Sequence, residues 1–426
     1  MLLPFLFSCS QIPQKSPSIP AENDSSYRIN GLQAWYLIGN DLDRGEDEIR
    51  LEIEGPTSED IHVWLDPLEP QRLLRTDDGF SLELDISSLP VGSYDLILAA
   101  ANTDVAFAHF RIHRSHPLYV IVSTDWDDAD NAELALRLQE ELHEEYPELL
   151  LTHFVGPYTF TDPTVSAERR EFLADWVLGM QNDYGDEIGL HIHPYCNFVE
   201  SIPQTCLEEP SLVYEDGDSS GYTIMVNAYS EEEFTEQLLV SDALFVENGL
   251  PKPTSFRAGG WSADITTIRA LQNADYIADT SANNWARLEE WEGLYNGVLY
   301  DWNRENWSEI NDTSQPYYPS QEDVQSDSGT RIPVLEVPDN GSLVDYVSGE
   351  EMIEILNANW PEHAPLQQPI AYSIGYHPSN FNMIYKINLQ EIFDYIQPHL
   401  SKHGSGPIRY QTLSNMTKVW PFLDSE

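Results

Sequence analysis

The sequence predicts two folds in tandem, an all-β sandwich followed by an α/β domain built on a parallel sheet or barrel. Three observations predict this. At 426 residues the chain is long for one domain. Residues 28–114 run as short alternating stretches split by Gly, Pro and Asp turns, the pattern of half-buried strands. From residue 118 the texture changes to continuous apolar runs separated by helical periodicity, as for strands buried on both faces.

The composition narrows the class. A hydrophobic content of 41% and eleven Trp are enough for packed cores and exclude a disordered chain. No stretch approaches the roughly 20 apolar residues that span a membrane. There are 72 acidic against 21 basic residues, a formal net charge of −51. Nucleic-acid partners are excluded by that balance, since phosphate backbones require Lys and Arg. The acidic residues are spread along the whole chain, which reads as a solvated or salt-adapted surface. Attraction to a cationic substrate or product is the alternative.

Residues 1–26 read as a signal and tether. The apolar run ends in Leu6-Phe7-Ser8-Cys9 and resembles a bacterial lipobox, with Cys9 as the lipidation site. No basic residue precedes the run, as a start further upstream would supply. A Ser/Pro/Gln-rich tether follows. Residues 27–114 form the predicted sandwich, with strands in "EIRLEIEG", "DIHVWLD", "FSLELDI" and "SYDLILAAAN". The turn-then-strand "SSLPVGSYDLILAA" is of the kind seen late in immunoglobulin-like sandwiches. No catalytic cluster falls here, and "HRSHP", residues 113–117, reads as a link.

Residues 115–426 form the predicted α/β domain. "LYVIVST" is its first buried strand, and "NAELALRLQEELHEEYP" the helix after it. "LLLTHFVG", "EIGLHIH" and "PTSFRAGG" are further strands or strand ends, separated by the helices "SAERREFLADWVLGMQNDYG" and "SEEEFTEQLLVSDALFVENG". "ITTIRALQNAD" reads as another helix.

In α/β barrels functional groups gather at the C-terminal ends of strands. Asp125, Asp127 and Asp128 follow the first strand, His153 the second, and His191 and His193 the third. Arg257, Gly259, Gly260 and Trp261 follow a later strand, and His377 follows "IAYSIGY". His191 and His193, two apart on a strand, share a face and can grip one metal ion. A pair of histidines alone is weak, but its recurrence with carboxylates and an arginine at successive strand ends points to a metal site.

The set "STDWDD", "GLHIHP", "FRAGGW" and "YSIGYHP", in that order, resembles the polysaccharide deacetylases, the NodB-homology domain of carbohydrate esterase family four. The resemblance covers residues 118 to about 420, with secondary likeness in "ADYIADTSA", "VLEVP" and "IRYQTLSNM". It implies a distorted (β/α) barrel of the NodB type. It departs from the family where histidines four apart are usual, because Tyr195 stands at that place and His193 must serve instead. The adjacent Asp pair of the family has two readings here. Either Asp125 is the base and Asp127 the ligand, or Asp127 is the base and Asp128 the ligand.

The resemblance implies a metal-dependent deacetylase hydrolysing N-acetyl or O-acetyl groups of a surface or extracellular polysaccharide. Asp127 or Asp128 would ligate a divalent ion with His191 and His193. Zinc suits that donor set first, with cobalt, nickel and manganese as alternatives. Asp125 would act as base, Arg257 would orient it, and His377 would protonate the leaving amine. Backbone N–H groups near Gly259-Gly260 would stabilise the oxyanion, and Tyr195 and Trp261 would offer flat faces to a sugar. Two rival readings are hydrolysis of another C–N amide in a small molecule, and a non-catalytic carbohydrate-binding surface lipoprotein.

Other features weigh less. "DWDDADNAE" has Ala129 and Asp130 where a calcium loop requires a ligand and a glycine. His153 reads equally as a core histidine, and Trp285 as packing. Cys196 and Cys206, ten apart, suit a disulfide-closed loop in an exported protein. The expected place is the outer surface or periplasm, with membrane contact only through the lipid anchor. Oligomeric state is open.

Overall fold

A computed structural model describes residues 16–56, 59–101, 103–207, 209, 212–215, 217–293 and 298–422. Cys9 and most of the tether lie outside the described residues. The chain divides into two compact units. The first runs up to Pro117 and takes in residues 365–368 and 398–407; the second holds the rest.

The first unit carries β1 (Arg28–Asn30), β2 (Trp35–Leu37), β3 (Glu48–Glu54), β4 (Ile61–Leu65), β5 (Leu68–Arg72), β6 (Leu74–Arg75), β7 (Phe80–Asp85), β8 (Gly92–Ala100) and β9 (Ala108–Ser115). They form two sheets, ordered β1-β3-β7-β6 and β2-β9-β8-β4-β5. Pairing is antiparallel except between β2 and β9. The alternation in "EIRLEIE" sends Ile49, Leu51 and Ile53 inward and the charged residues outward. Those three pack in one core with Leu82 and Leu84 of the same sheet and Val63, Leu96, Leu98 and Ile112 of the other. Residues 113–115, expected in a link, complete β9. Two late segments also join this unit. Ala34 N–H donates to Gly404 O at 2.9 Å and His116 N–H to Leu366 O at 3.1 Å. Neither pairing leaves a trace in local sequence, because its partners are hundreds of residues apart.

The second unit is α/β. Its strands are β10 (Leu118–Asp125), β11 (Leu151–Val155), β12 (Glu187–Ile192), β13 (Ser255–Ala258), β14 (Ala278–Asp279), β15 (Leu335–Glu336), β16 (Ile370–Tyr376) and β17 (Ile408–Gln411). The order is β15-β14-β13-β12-β11-β10-β16, with β17 also on β10, and all these pairs are parallel. The sheet curls into a half-barrel. Just past β15, Gly341 N–H donates to Ser373 O and Val344 N–H to Gly375 O, both at 2.8 Å, tying the far edge towards β16.

Helices cross between strands and bury the sheet's outer face. Their starts are written in the sequence. Ser230 and Glu233 form a reciprocal capping box on the helix Glu231–Glu247, and Ser348 and Glu351 do so on Gly349–Asn359. Asn382 caps Met383–Ile396 through two backbone N–H groups. All eight residues of β10 are buried, as its continuous apolar run requires. Residues 283–333, for which the sequence offered no prediction, contain the helix Val298–Asn306 and loops bridged at Tyr317–Glu336 and Ser320–Arg331.

Candidate metal centre

β10 sets the first half of the site. Alternation sends Ser123 and Asp125 to the inner face and Thr124 to the outer, where its hydroxyl meets His153 Nδ1 at 3.2 Å. The strand stops at Asp125, so Asp127 does not reach the pocket by strand continuation. A tight turn, closed by Asp127 N–H on Asp125 O at 3.1 Å, brings it there instead.

Two imidazoles converge on the Asp127 carboxylate. His191 Nε2 lies 3.1 Å and His193 Nε2 3.6 Å from Oδ1. Each ring is fixed from behind: His191 Nδ1 is 2.9 Å from Arg257 O, and His193 Nδ1 is 2.8 Å from Tyr222 O. A carbonyl only accepts, so each Nδ1 carries the hydrogen and each neutral ring turns the Nε2 lone pair to Asp127. Three acceptor atoms facing one another, all within 4.8 Å, repel unless a cation or protons lie between them. This donor set fits a first-row divalent ion. It is the one such cluster among the described residues.

With protons in place of a cation, burial alone would raise the Asp127 carboxyl, but the charges of His377 and His193 and hydrogen bonds from His191 and His193 outweigh it and hold it well below the usual carboxylate range. Tyr222 Oη donates to Asp127 Oδ2 at 2.8 Å. A Cβ on Gly259 would stand 2.6 Å from His193 Nδ1, so only glycine lets the backbone lie against that ring.

Asp125 sits beside this cluster on a buried guanidinium. Arg257 Nη1 donates to both Asp125 oxygens at 3.1 Å and to Ser123 Oγ at 2.8 Å. Its Nε donates to Thr280 O at 3.1 Å, and its Nη2 lies 3.5 Å from Asp339 Oδ2. Burial opposes the Arg257 charge, yet Asp125 and Asp339 outweigh burial and raise its pKa. Behind it, burial pushes Asp279 and Asp339 each up to about 6 and Glu336 well above its usual range. One cation thus serves a crowd of buried carboxyls, and Asp125 receives its most direct contacts.

His377 closes the ring. Its backbone N–H donates to Asp345 Oδ2 at 3.1 Å, its Nδ1 lies 3.3 Å from Asp345 Oδ1, and its Nε2 lies 3.6 Å from Asp127 Oδ2. Burial pulls the imidazole down, but Asp127 and Asp345 prevail and raise it to about 10. The cavity between these groups holds about 250 Å³, with Gly260 and Trp261 in its wall beside Leu299 and Tyr346. Gly260 adopts φ +59°, the left-handed turn that glycine allows. Trp261 Nε1 donates to Asp339 Oδ2 at 3.2 Å, which holds the indole in place.

Several expected residues lie elsewhere. Asp128 lines a separate depression with Tyr195 and Asp162, outside the Asp127–His191–His193 cluster. The turn after Asp125 aims adjacent side chains apart, and burial with the nearby Asp127 charge raises its carboxyl. Tyr195 offers no face to the cavity; its hydroxyl donates to Asp127 O at 3.2 Å and its ring packs on Tyr158 and Tyr222. His153 faces away, buried against Asp186 at 3.0 Å. Asp130 pairs with Arg169 at 2.8 Å, and Trp285 packs near Tyr300. Cys196 and Cys206 form a disulfide with Cα atoms 5.0 Å apart.

No local pattern announces Tyr222, Asp339, Asp345 or Tyr346. Gly221 was the available clue to the first. At φ +86° a Cβ there would meet Pro194 O at 2.4 Å, so the loop packs tightly against the strand end that carries the histidines. Cys196 N–H donates to Ser220 O at 2.7 Å in the same contact.

No family model matches the chain, and no curated protein matches it in sequence. Solved structures do. A family 4 carbohydrate esterase from Streptomyces lividans, in complex with acetate, is similar over 71% of this chain and 96% of its own, at 9% identity and a TM-score of 0.36. The Xyl-CE4 domain of a multidomain xylanase from the hindgut metagenome of Trinervitermes trinervoides is similar over 73% and 95%, at 10% identity and 0.36. A family 4 acetyl xylan esterase from Clostridium thermocellum, in complex with a cobalt ion, is similar over 70% and 90%, at 11% identity and 0.33. With identities and TM-scores this low, function has to be read from the side chains.

Proposed function

We propose that the second unit is a metal-dependent deacetylase that removes N-acetyl or O-acetyl groups from a polysaccharide. One observation carries the reading: two imidazoles, locked through Nδ1, aim Nε2 at one carboxylate beside an arginine-held aspartate. The sequence resemblance to polysaccharide deacetylases supports the substrate class.

Asp127, His191 and His193 would hold the ion, with zinc the first choice for two imidazoles and a carboxylate. When bound, such an ion polarises an acyl carbonyl and acidifies a water. The chain supplies the rest. Asp125, oriented by Arg257, accepts the water's proton as base. His377, held through Nδ1 at Asp345, lines the same cavity and is placed to give a proton to the departing amine or alkoxide. Trp261 and Tyr346 wall the cavity and exclude water from the acyl group.

We place the protein outside the cytoplasm, anchored through Cys9; the Cys196–Cys206 disulfide is consistent with an oxidising compartment. We read the first unit as an immunoglobulin-like accessory sandwich without chemistry of its own. The modest cavity also favours a second reading, hydrolysis of a small-molecule amide. Acetate released from acetylated oligosaccharides, compared with release from small acetyl amides, separates the two. Release only from small amides overturns the polysaccharide reading, and no release from either overturns the enzyme.

A further inference from the structure

The catalytic cavity, at about 250 Å³, falls below the usual size of a small-molecule site, roughly 300–1,000 Å³. Most of a polymeric substrate must therefore rest elsewhere. Tyr346 forms part of its wall, and the same Tyr346 also lines a second, larger hollow of about 770 Å³. The two cavities are neighbours across one ring.

The second hollow is polar. Asn311 and Thr313 supply amide and hydroxyl groups, buried Asn284 braces the wall, and Arg287, Asp312 and Glu351 supply charge. The charges are largely matched within the wall. Arg287 donates to Asp312 through Nε at 2.9 Å and Nη2 at 2.6 Å, and Asn284 Nδ2 donates to the same carboxylate at 2.8 Å. Glu351 Oε1 stands 3.9 Å from Arg287 Nη1. One guanidinium against two carboxylates leaves no surplus positive charge for an anion. A chain with a net charge of −51 repels one further. Mixed donors and acceptors without excess cation suit a neutral, hydroxyl-rich ring.

We propose that this hollow is a second subsite, holding a neutral sugar unit of the polysaccharide whose acetylated unit occupies the catalytic cavity. The inference rests on the polysaccharide reading above and adds where, and by which residues, the chain is gripped. The loops that build it, residues 284–287 and 311–313, lie in the stretch between β14 and β15.

The test fills the hollow from two independent sides with Ala286→Trp and Ala358→Trp. Both alanines are exposed in its wall, and neither touches the Asp127 cluster. Acetylated xylo- and glucosamine oligosaccharides of two and five units are compared with p-nitrophenyl acetate, and binding of the unacetylated pentamers is followed by calorimetry. Wild type should show a KM for the pentamer at least tenfold below that for the dimer. Both variants should erase that gain and weaken calorimetric binding by a similar factor. Their kcat/KM for p-nitrophenyl acetate should stay within twofold, which also reports on folding. Pentamer KM and binding unchanged in both variants overturn the subsite, as does binding confined to uronate-containing oligosaccharides. Pentamer binding that depends on both alanines without acetate release keeps the subsite and overturns the enzymatic reading instead.

Discussion

In the first unit, β3 buries Ile49, Leu51 and Ile53 and turns Glu48, Arg50, Glu52 and Glu54 to the outside. In the half-barrel, β10 buries all eight of its residues, Ser123, Thr124 and Asp125 among them. Among its described residues the first unit keeps charge out of its core except at Arg114, which donates to Leu37 O and Glu46 O at 2.9 Å each and pairs with Asp47. The second places Asp125, Arg257, Asp279, Glu336 and Asp339 in one buried group. An isolated buried charge costs several kcal/mol, so such a group persists only where its members compensate one another. The difference marks the unit to which we assign the chemistry.

The sharpest way to separate the two units is to change Asp125. Asp125→Asn should lower turnover about 10²- to 10⁴-fold, the range of a lost general base. It should leave metal content unchanged, since Asp125 is outside the donor set. Acetate-release kinetics with metal analysis on the same sample checks both halves; loss of metal would make Asp125 a ligand.

Stability breaks differently in each unit. Arg257→Met removes the cation from Asp125 and Asp339 and should cost about 3–5 kcal/mol, as when one partner of a buried pair is deleted. Leu98→Ala in the core of the first unit should cost about 2–5 kcal/mol through its cavity, yet leave kcat of the folded protein intact. Denaturant melts and kcat on both variants decide this; equal loss of kcat at full folding would join the units functionally. Shortening the chain to begin at Leu118 is a harsher cut, because it removes the partners of residues 366 and 404.

The Cys196–Cys206 loop stands between these extremes. Its closure is worth about 3 kcal/mol for so short a loop. Cys206→Ser should lower the melting temperature. It should also weaken metal binding through the 219–222 segment, whose Tyr222 carbonyl anchors His193. Unchanged metal affinity would limit the disulfide to stability.

A smaller effect follows from His377. Its folded pKa of about 10 lies above the ordinary imidazole value of roughly 6.5. A raised folded pKa contributes stability that is complete below pH 6.5 and is lost as pH rises through about 10. Melts of chelator-treated protein between pH 6 and about 10 should therefore fall more steeply for wild type than for His377→Asn. Parallel curves would place the imidazole outside the Asp127–Asp345 field.

Much of this contrast was legible in the residues themselves. "EIRLEIE" and "LYVIVST" announce one-sided and two-sided burial, because side-chain period and burial are written locally. His191, His193, Arg257 and His377 were found because strand ends collect functional groups. Asp127 against Asp128 was not decidable, because a single turn, not strand periodicity, aims those side chains. Tyr222, Asp345 and Tyr346 reach the site from loops whose spacing has no period to read. Residues 365–368 and 398–407 pack with the first unit, which no local period announces.

The central claim is that Asp127, His191 and His193 together hold one divalent ion. Metal analysis of purified wild type, Asp127→Ala, His191→Ala, His193→Ala and Asp128→Ala tests it directly. About one ion per chain should be found in wild type and Asp128→Ala, and none in the other three. The wild-type affinity should fall as pH drops and protons compete for the imidazoles, because a protonated imidazole cannot ligate. Metal retained in His193→Ala, or lost in Asp128→Ala alone, would contradict the account.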